Sequence, residues 1–448
     1  MTDLLAARSQ MAMSLGFHII FAVVGIAMPL LMVIAEGLWL RTGKPIYREL
    51  AYRWSKGTAI MFAVGAVSGT VLSFELGLLW PEFMKHAGPI IGMPFSLEGF
   101  AFFLEAIFLG LYLYGWDKVS PKAHWASGFM VLISGTASGI FVVTANAWMN
   151  APAGFDYANG VFSNIRPFEA MFNPMWFSQT LHMTIAAFVA VGFAVAGIHA
   201  LLLLKERDHP FHRKAMAIAL TVGGIFAFLQ PISGDISAKA VADTQPAKLA
   251  AMEGQWETEK GAPLRIGGWP DAQAEETRWS IDIPYALSFL AHGDLDAEVK
   301  GLKEFPKDER PPVAPVHISF QIMVGIGFFL MGLAVLSAWL AWKKRGLPDQ
   351  SWFLKLVALS APLGMIAIEA GWMVTEIGRQ PWVIQGIMRT SEAVTPMPNL
   401  IVPFLTFSAL YLMLAAVVVY LLWRHVFQTV DTDAFMDELD HPTPEEAV

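Results

Sequence analysis

Long apolar runs, separated by shorter polar segments, dominate the pattern along the chain. Each run has about the 20 residues that a helix needs to cross the hydrocarbon core of a bilayer. The runs are continuous instead of alternating and are rich in Leu, Met and Phe, which predicts helices and argues against a β-barrel. We predict nine spans, at 12–39, 57–80, 95–116, 125–149, 173–204, 215–232, 315–342, 353–376 and 399–423.

The polar segments carry the basic residues, and their distribution predicts an orientation. Sixteen Lys and Arg follow the odd-numbered spans, whereas five lie in the short segments on the other side. Cytoplasmic loops carry the excess of Lys and Arg in membrane proteins, so we expect the N-terminus outside and the C-terminus inside. The remaining nine basic residues lie in one long segment, 231–314, which this orientation places outside.

The domain organisation follows from these spans. We predict an all-α, polytopic helical bundle that forms a single integral membrane domain over residues 1–448. The 231–314 segment is inserted between the sixth and seventh helices as a long outer loop. Residues 425–448 are acidic, and we expect them to form a cytoplasmic tail.

Composition agrees with a membrane protein and removes several classes of function. Of the 448 residues, 55% are hydrophobic and only 15% are charged, whereas about a quarter of the residues of a soluble chain are charged. A net charge of −8 without a basic tract argues against nucleic acid as a partner. The chain has no Cys, which excludes disulfides, zinc-thiolate sites, iron–sulfur clusters and thiolate-ligated haem.

Acidic residues remain inside the predicted spans, although the Lys and Arg residues fall in loops or at span ends. An ionised side chain near the bilayer centre costs about 2.5–3.5 kcal/mol on insertion scales, so such residues are functional hypotheses by default. Glu98 and Glu105 are seven residues apart and share one helix face. For Glu36 we expect contact with headgroup water at a span end. The six intramembrane acids are Glu36, Glu75, Glu98, Glu105, Glu369 and Glu376.

Four residues in four spans are candidate iron ligands at one depth. His18, His182 and Met323 each lie about two turns into a span that begins outside, and Glu376 ends a span on that side. Imidazole and thioether are common ligands of haem iron. A methionine is more often a packing residue, and a buried histidine is as often a hydrogen-bonding group. Spacing alone therefore leaves haem binding and packing both open.

Eight short stretches carry a family resemblance, which covers about residues 5 to 425. They are RSQMAMSLGFHIIF from Arg8, SFELGLLWPEF from Ser73, SLEGFAFFLEAIFLGLYLYGWDK from Ser96, TANAWMNAP from Thr144, QTLHM from Gln179, KLAAMEGQWET from Lys248, FQIMVG from Phe320 and EAGWMVTEIGRQPW from Glu369. Each stretch is common in isolation. As an ordered set they resemble subunit I of the cytochrome bd-type quinol oxidases, and the short outer loop resembles the short-loop and cyanide-insensitive branches.

The resemblance implies an electrogenic terminal oxidase of the bacterial cytoplasmic (inner) membrane. Such an enzyme oxidises quinol at the outer face, reduces O2 to water with cytoplasmic protons, and generates a proton motive force without pumping. The implied cofactors are two haem b, one low-spin and one high-spin, and one haem d or a third haem b. The implied partners are subunit II, with or without a small single-helix subunit, together with quinol, O2 and the lipid membrane.

Iron ligands are also implied by the resemblance. His182 and Met323 match the axial ligands of the low-spin haem b. His18 and Glu376 match the ligands of the two high-spin haems, and the assignment between these two stays open. Gln321 is a departure, since many members have Arg there. That Arg stabilises the reduced low-spin haem, so its replacement is expected to lower the potential of this haem.

The two neighbouring acids match catalytic positions of the family. Glu98 matches an acid beside the oxygen-reducing haem, while Glu105 and Ser138 match a proton path toward it. A polar route along the fourth span would begin at His124, at its inner end. We hypothesise that both acids are protonated at rest and relay protons.

Four further positions match residues around the haems and the quinol. Trp372 and Arg379 match a bridging aromatic residue and a residue that balances haem propionate charge. Lys248 and Glu253 match residues implicated in quinol oxidation, within the outer loop that this family calls the Q-loop.

When only the residues are considered, two other classes of function are alternatives to the oxidase. A proton-coupled secondary transporter would explain the intramembrane Glu residues, but the chain shows no clear inverted repeats with broken helices. A haem-bearing electron-transfer membrane anchor would explain the iron ligands but not the pair of neighbouring acids. Haem absorbance discriminates among the three classes.

Overall fold

The structure is a computed structural model, and it describes residues 1–427. Most of the predicted acidic tail, from 428 onward, lies outside the described residues. The described helices are α1 (Asp3–Thr42), α2 (Pro45–Leu79), α3 (Pro81–Tyr114), α4 (Pro121–Asn150), α5 (Pro167–Met171), α6 (Trp176–Lys205), α7 (Pro210–Thr244), α8 (Pro246–Glu253), α9 (Ala286–His292), α10 (Val313–Lys344), α11 (Ser351–Leu359), α12 (Leu363–Ile377), α13 (Thr390–Ala393) and α14 (Ile401–Leu422).

Nine helical segments within residues 1–427 are long and apolar enough to cross a membrane, which confirms the predicted architecture. The eighth segment consists of α11 and α12, which are separated at residues 360–362. Pro362 has no backbone N–H to donate to the preceding turn, so the helical hydrogen-bond ladder is interrupted there. The polypeptide continues in the same direction, and the two helices together form one span.

The sixth span is longer than the sequence predicts, and the loop after it is correspondingly shorter. The apolar run ends near 232, but α7 continues to Thr244. Pro231 lies within the helix, and the hydroxyl of Ser233 donates to the carbonyl of Gln230 at 2.9 Å. Hydropathy marks where a helix leaves apolar surroundings, which is not where its hydrogen bonding ends. The predicted loop start at 231 is therefore too early, and the segment between α7 and α10 comprises residues 245–312.

Short strands occur only outside the spans among the described residues. They are β1 (Asp156–Ala158), β2 (Val161–Ser163), β3 (Glu259–Lys260), β4 (Leu264–Asp271), β5 (Glu276–Ile283), β6 (Glu298–Val299), β7 (Trp382–Ile384) and β8 (Met388–Arg389). Each belongs to an antiparallel two-stranded pair, and the longest pair is the β4–β5 hairpin. This hairpin, together with α8 and α9, gives the 245–312 segment a folded structure.

Hydrogen bonds between the connections define two ends of the bundle. The backbone N–H of Leu400 donates to Asp3 at 2.9 Å, and that of Thr395 donates to the carbonyl of Leu79. We call this end, which also carries the 245–312 segment, the loop end. At the other end, Arg48 bonds Asp117 at 2.8 Å.

This second end, the basic end, gathers the connections that follow the odd-numbered spans. Arg207 donates to the hydroxyl of Ser351, and Arg213 donates to the carbonyl of Leu347. Sixteen Lys and Arg lie in these connections or on the neighbouring parts of the helices, against five near the short connections of the loop end. The two ends thus differ in charge as the sequence predicts, while the assignment of the basic end to the cytoplasm stays a prediction.

Close helix packing fixes α6, which carries His182. A Cβ on Gly192 would lie 2.5 Å from the Cα of Gly223 on α7, and one on Gly197 would lie 2.6 Å from the Cβ of Ala361. Only glycine permits these approaches. Both sides of α6 are therefore held by neighbouring spans, which gives a rigid support for a buried ligand.

Candidate functional site

His182 of α6 is oriented by a serine of the neighbouring helix α7. Its Nδ1 lies 3.0 Å from the hydroxyl of Ser233, and this hydroxyl already donates to the carbonyl of Gln230. A hydroxyl has one hydrogen, so Ser233 accepts from Nδ1–H. The Nε2 of His182 then carries the lone pair. The Gln230 amide nitrogen lies 3.1 Å from Nε2, to which it can donate, and 3.2 Å from Nδ1.

His18 of α1 shows the same arrangement with a serine of α2. Its Nδ1 lies 2.9 Å from the hydroxyl of Ser68, which donates to the carbonyl of Val64 at 3.0 Å. A Cβ on Gly69 would lie 3.0 Å from the Cε1 of His18, so glycine at this position leaves room for the ring. Histidines that bind metal usually donate the other ring N–H to such a partner. Both histidines therefore carry a lone pair on Nε2, as binding to iron requires, and at His182 this lone pair faces the amide of Gln230.

Met323 lies on α10, which packs on the same two helices, α7 and α12, as α6 does. A Cβ on Gly371 of α12 would lie 3.0 Å from the sulfur of Met323, so glycine keeps the surroundings of the sulfur open. Trp372, the next residue, packs at the margin of the main apolar core. His182 and Met323 are thus carried by helices that flank a common pair of neighbours.

Glu376 and Arg379 form a charged pair where α12 ends. The guanidinium of Arg379 donates to Glu376 at 2.5 Å and also to the carbonyl of Val383, while Asn146 of α4 donates to the other carboxylate oxygen. Arg379 is 3% exposed, and its Nε has no partner among the described residues. A buried guanidinium nitrogen without an acceptor fits the predicted role of Arg379 beside an anionic haem propionate.

Glu105 lies between two helices that present glycines to it. It is 6% exposed, and a Cβ on Gly25 of α1 would lie 3.4 Å from its Oε1. A Cβ on Gly135 of α4 would lie 3.1 Å from its carboxyl carbon. Ser138, one turn further along α4, donates to Glu98 at 3.4 Å. The structure therefore brings Glu98, Glu105 and Ser138 together at the α3–α4 contact.

Glu36 contradicts the expectation that it touches headgroup water. It is fully buried, and its carboxylate lies 2.7 Å from Nδ1 of His124. The Nε2 of His124 lies 2.8 Å from the carbonyl of Tyr112. The partner is 88 residues away on α4, so the position of Glu36 in its apolar run does not reveal this pair. The signal that the sequence offers is a histidine, His124, at the inner end of the fourth span.

Two other intramembrane acids have different surroundings. Glu75 accepts from the amide of Gln10 and the hydroxyl of Ser14, both at 2.9 Å. Glu369 has a buried Oε1 without a hydrogen-bond partner among the described residues, and a Cβ on Gly16 would lie 3.2 Å from its Oε2. Gly16 precedes His18 by two residues on α1, so Glu369 lies near that histidine.

Lys248 and Glu253 occupy α8 but face different neighbours. Lys248 is buried and donates to Asn150 at 2.5 Å and Gln245 at 2.8 Å. Burial holds the pKa of Lys248 well below its usual range, and the charge of Arg379 adds to this effect. For Glu253, burial raises the pKa to about 8, although the positive charge of Arg265 opposes the shift. Glu253 therefore keeps its proton at neutral pH.

The described candidate ligands do not form a metal site made of side chains alone. No group of three or more His, Cys, Asp or Glu residues within 1–427 could hold a metal ion. The candidate ligands are instead separate residues on different helices. Such a set fits iron in a porphyrin, where the macrocycle supplies four ligands and the protein one or two.

The comparisons with known proteins identify the family. Residues 6–430 match the family described as "Cytochrome bd terminal oxidase subunit I". The chain belongs to this family.

Relatives and a solved structure agree along nearly the whole chain. The chain is 40% identical, over 428 residues, to the putative cytochrome bd menaquinol oxidase subunit I of Bacillus subtilis, covering 94% of this chain and 96% of that protein. It is 32% identical to the cytochrome bd ubiquinol oxidase subunit 1 of the same organism, covering 98% and 99%. The bd oxidase structure from Geobacillus thermodenitrificans matches with a TM-score of 0.90 and 40% identity, covering 96% and 99%.

Membership in the cytochrome bd family confirms the predicted class of function. The chain is subunit I of a quinol-oxidising terminal respiratory oxidase, a haem-containing oxidoreductase and a multi-pass protein of the bacterial inner membrane. Oxidases of this family work with a second subunit. The transporter and the electron-transfer anchor are thereby excluded, whereas the roles of individual residues remain predictions.

Proposed function

We propose that the loop end oxidises quinol and reduces oxygen on two haem b and one haem d or third haem b. The observation that carries this proposal is the shared geometry of His18 and His182, whose Nδ1 atoms lie 2.9 and 3.0 Å from serine hydroxyls of neighbouring helices. This leaves the Nε2 lone pair of each ring to bind iron, and at His182 the amide of Gln230 would give way to the iron. Met323 would complete the low-spin site, and Glu376 the second high-spin site. When bound, these haems carry electrons from quinol to oxygen and hold the oxygen during its reduction.

Quinol oxidation is assigned to the neighbourhood of α8. Quinol loses two protons as it is oxidised, so a proton acceptor is needed beside it. Glu253 supplies a buried carboxyl that accepts a proton once it is ionised, and its Oε2 has no partner among the described residues. Lys248 holds the start of α8 against Asn150 of α4, which keeps α8 next to the charged pair of Glu376 and Arg379.

Proton delivery to the oxygen site is assigned to the contact of α1, α3 and α4. Glu36 and His124 each lie eleven residues from the glycines that face Glu105, namely Gly25 on α1 and Gly135 on α4. At 1.5 Å per residue, the pair lies about 16 Å from Glu105 toward the basic end. Protons would enter there and leave through Glu105 and Glu98. With the basic end inside, this transfer separates charge without a pump.

The assembly around this subunit is also part of the proposal. We expect subunit II beside the bundle, with or without a small single-helix subunit. The N-terminus and the 245–312 segment would face outward, so quinol releases its protons on the outer side. Whether menaquinol or ubiquinol is the donor is decided by the assay below.

The direct test is the purified oxidase complex. Its reduced-minus-oxidised spectrum should show low-spin and high-spin haem, and menaquinol or ubiquinol should drive oxygen uptake. Absence of haem absorbance, or of uptake with both quinols, would contradict the proposed function.

Ser233→Ala tests the observation behind the proposal. Loss of this hydrogen bond should weaken retention of the low-spin haem about 10–100-fold, the usual effect of removing such a partner. Ser337→Ala on α10 is the matched control, since Ser337 donates only to its own helix, at the carbonyl of Leu333. Equal haem retention in both variants would overturn the assigned role of Ser233.

A further inference from the structure

Two side chains of α10 make hydrogen-bond contacts with the backbone of the 245–312 segment. His317 and Gln321 are four residues apart, so they lie on one face of the helix. His317 is fully buried, with Nδ1 2.8 Å from the carbonyl of Met252 and Nε2 2.9 Å from the carbonyl of Gly267. At least one ring nitrogen carries a proton in either charge state, so at least one of these hydrogen bonds is always available.

Gln321 uses both ends of its amide on the same hairpin. Its Oε1 accepts from the backbone N–H of Gly267 at 3.0 Å, and its Nε2 donates to the carbonyl of Arg265 at 2.9 Å. Gly267 has a φ of +67°, a conformation that glycine adopts without strain. In this conformation the N–H of Gly267 donates to Gln321, and its carbonyl oxygen lies 2.9 Å from Nε2 of His317.

The carbonyls of Met252 and Arg265, which face His317 and Gln321, lie in or next to the residues proposed to act on the quinol proton. Met252 directly precedes Glu253, and Arg265 is the cation whose charge acts on the Glu253 carboxyl. His317 therefore contacts the C-terminal end of α8, while Gln321 holds strand β4, which carries Arg265. Both anchor points lie on the helix that carries Met323, six and two residues before it.

We propose that His317 and Gln321 are positioning residues for quinol oxidation. They fix the 245–312 segment to the Met323 helix, so that Glu253 and Arg265 keep their relative placement beside the quinol. This inference rests on the proposed function, because it assumes that quinol binds at this segment. Neither residue needs to touch the quinol.

The chemistry of position 321 gives a specific prediction. Many members of the family have Arg at this position. A guanidinium has donors but no acceptor, so it cannot receive the N–H of Gly267, although it can still reach a carbonyl. Glutamate has the opposite limitation when ionised. Gln321→Arg and Gln321→Glu therefore each remove one of the two bonds, and Gln321→Leu removes both.

The test compares these variants and His317→Phe in the purified oxidase complex. Gln321→Leu and His317→Phe should each raise KM for quinol about tenfold, the effect of losing one or two hydrogen bonds in a buried site. Gln321→Arg and Gln321→Glu should lie between wild type and Gln321→Leu. We expect kcat at saturating quinol to change less than twofold. Ile322→Val, a neighbour on α10 that is 44% exposed, is the matched control.

Hydrogen exchange provides a measurement that does not depend on quinol. The backbone amide of Gly267 should exchange faster in Gln321→Leu than in Ile322→Val, with the low-spin haem spectrum retained. Unchanged KM in both Gln321→Leu and His317→Phe would overturn the proposal, as would unchanged exchange at Gly267. A wild-type complex without quinol-driven oxygen uptake would instead refute the proposed function, so the two failures are distinguishable.

Discussion

Glu376 and Glu105, two carboxyl groups of the spans, meet opposite surroundings. Glu376, at the loop end, accepts from Arg379 at 2.5 Å and from Asn146. Glu105 is 6% exposed, and it has no ion pair within residues 1–427; its neighbours across the helix contacts are Gly25 and Gly135. A cation stabilises the ionised form of the first, while the second is compatible with its apolar surroundings mainly when it is protonated.

This difference separates fixed charge from transferable protons. A carboxylate held by a guanidinium keeps its charge, so it suits ligation of iron or the balance of charge around a haem. A buried carboxyl without a cation can take up a proton and release it when charge changes nearby, which suits proton transfer. The predictions below would break or sharpen this contrast.

Within this contrast, the largest effect is expected for Glu105→Gln. The amide has nearly the same shape, so packing between α1 and α4 should persist, but it cannot carry the transferred proton. Turnover should fall at least about 100-fold, the usual loss when a proton-transfer group is removed. Oxygen uptake is the measurement, with haem spectra confirming an intact site. Glu82→Gln, in the first turn of α3, where Glu82 pairs with Lys85, is the control. Full turnover in Glu105→Gln would end the relay hypothesis.

Arg379→Met tests the other side of the contrast. Removing the buried cation leaves the Glu376 carboxylate with only Asn146, which should lower the free energy of unfolding by about 2–3 kcal/mol. Thermal unfolding of the complex measures it. Arg166→Met, at an exposed pair with Glu169, should cost no more than about 1 kcal/mol. Equal losses in the two variants would mean that Arg379 has no special role in holding Glu376.

A smaller effect is expected from the titration of Glu253. Burial raises the pKa of this carboxyl to about 8, so it is mostly protonated at pH 7 and ionised at pH 9. Since only the ionised form accepts a proton from quinol, kcat/KM should rise about tenfold over this range. The proton-bound form is favoured by the fold, so the stability contributed here falls as pH rises toward 8. A Glu253→Gln variant that keeps the same pH profile would refute the assignment.

Much of the fold was predictable because apolar runs of bilayer length leave few alternatives. The nine spans follow from length and hydropathy, and the two ends follow from Lys and Arg. The end of α7 was not predictable, because the residues after Pro231 mix polar and apolar side chains yet remain helical. This part of α7 precedes α8 directly, and α7 packs against α8 and α9 of the 245–312 segment, contacts that local hydropathy does not report.

The site was predictable only in part, for a related reason. Residue types at one depth pointed to His182 and Met323, but their supporting groups come from other helices. Ser233 lies 51 residues from His182 in sequence, and His124 lies 88 from Glu36. Such partners are set by tertiary packing, and nothing in the local pattern marks them. The resemblance to a family identified ligand positions, whereas the serines that orient them became visible only in the fold.

The most direct test of the account is the spectrum of Met323→Leu. Leucine fills similar volume but cannot bind iron, so the low-spin haem should become high-spin and quinol oxidation should stop. Met331→Leu, two turns further along α10, is the control and should leave the reduced-minus-oxidised spectrum unchanged. The account predicts loss of the low-spin signal in Met323→Leu alone. An unchanged low-spin spectrum in that variant would contradict it.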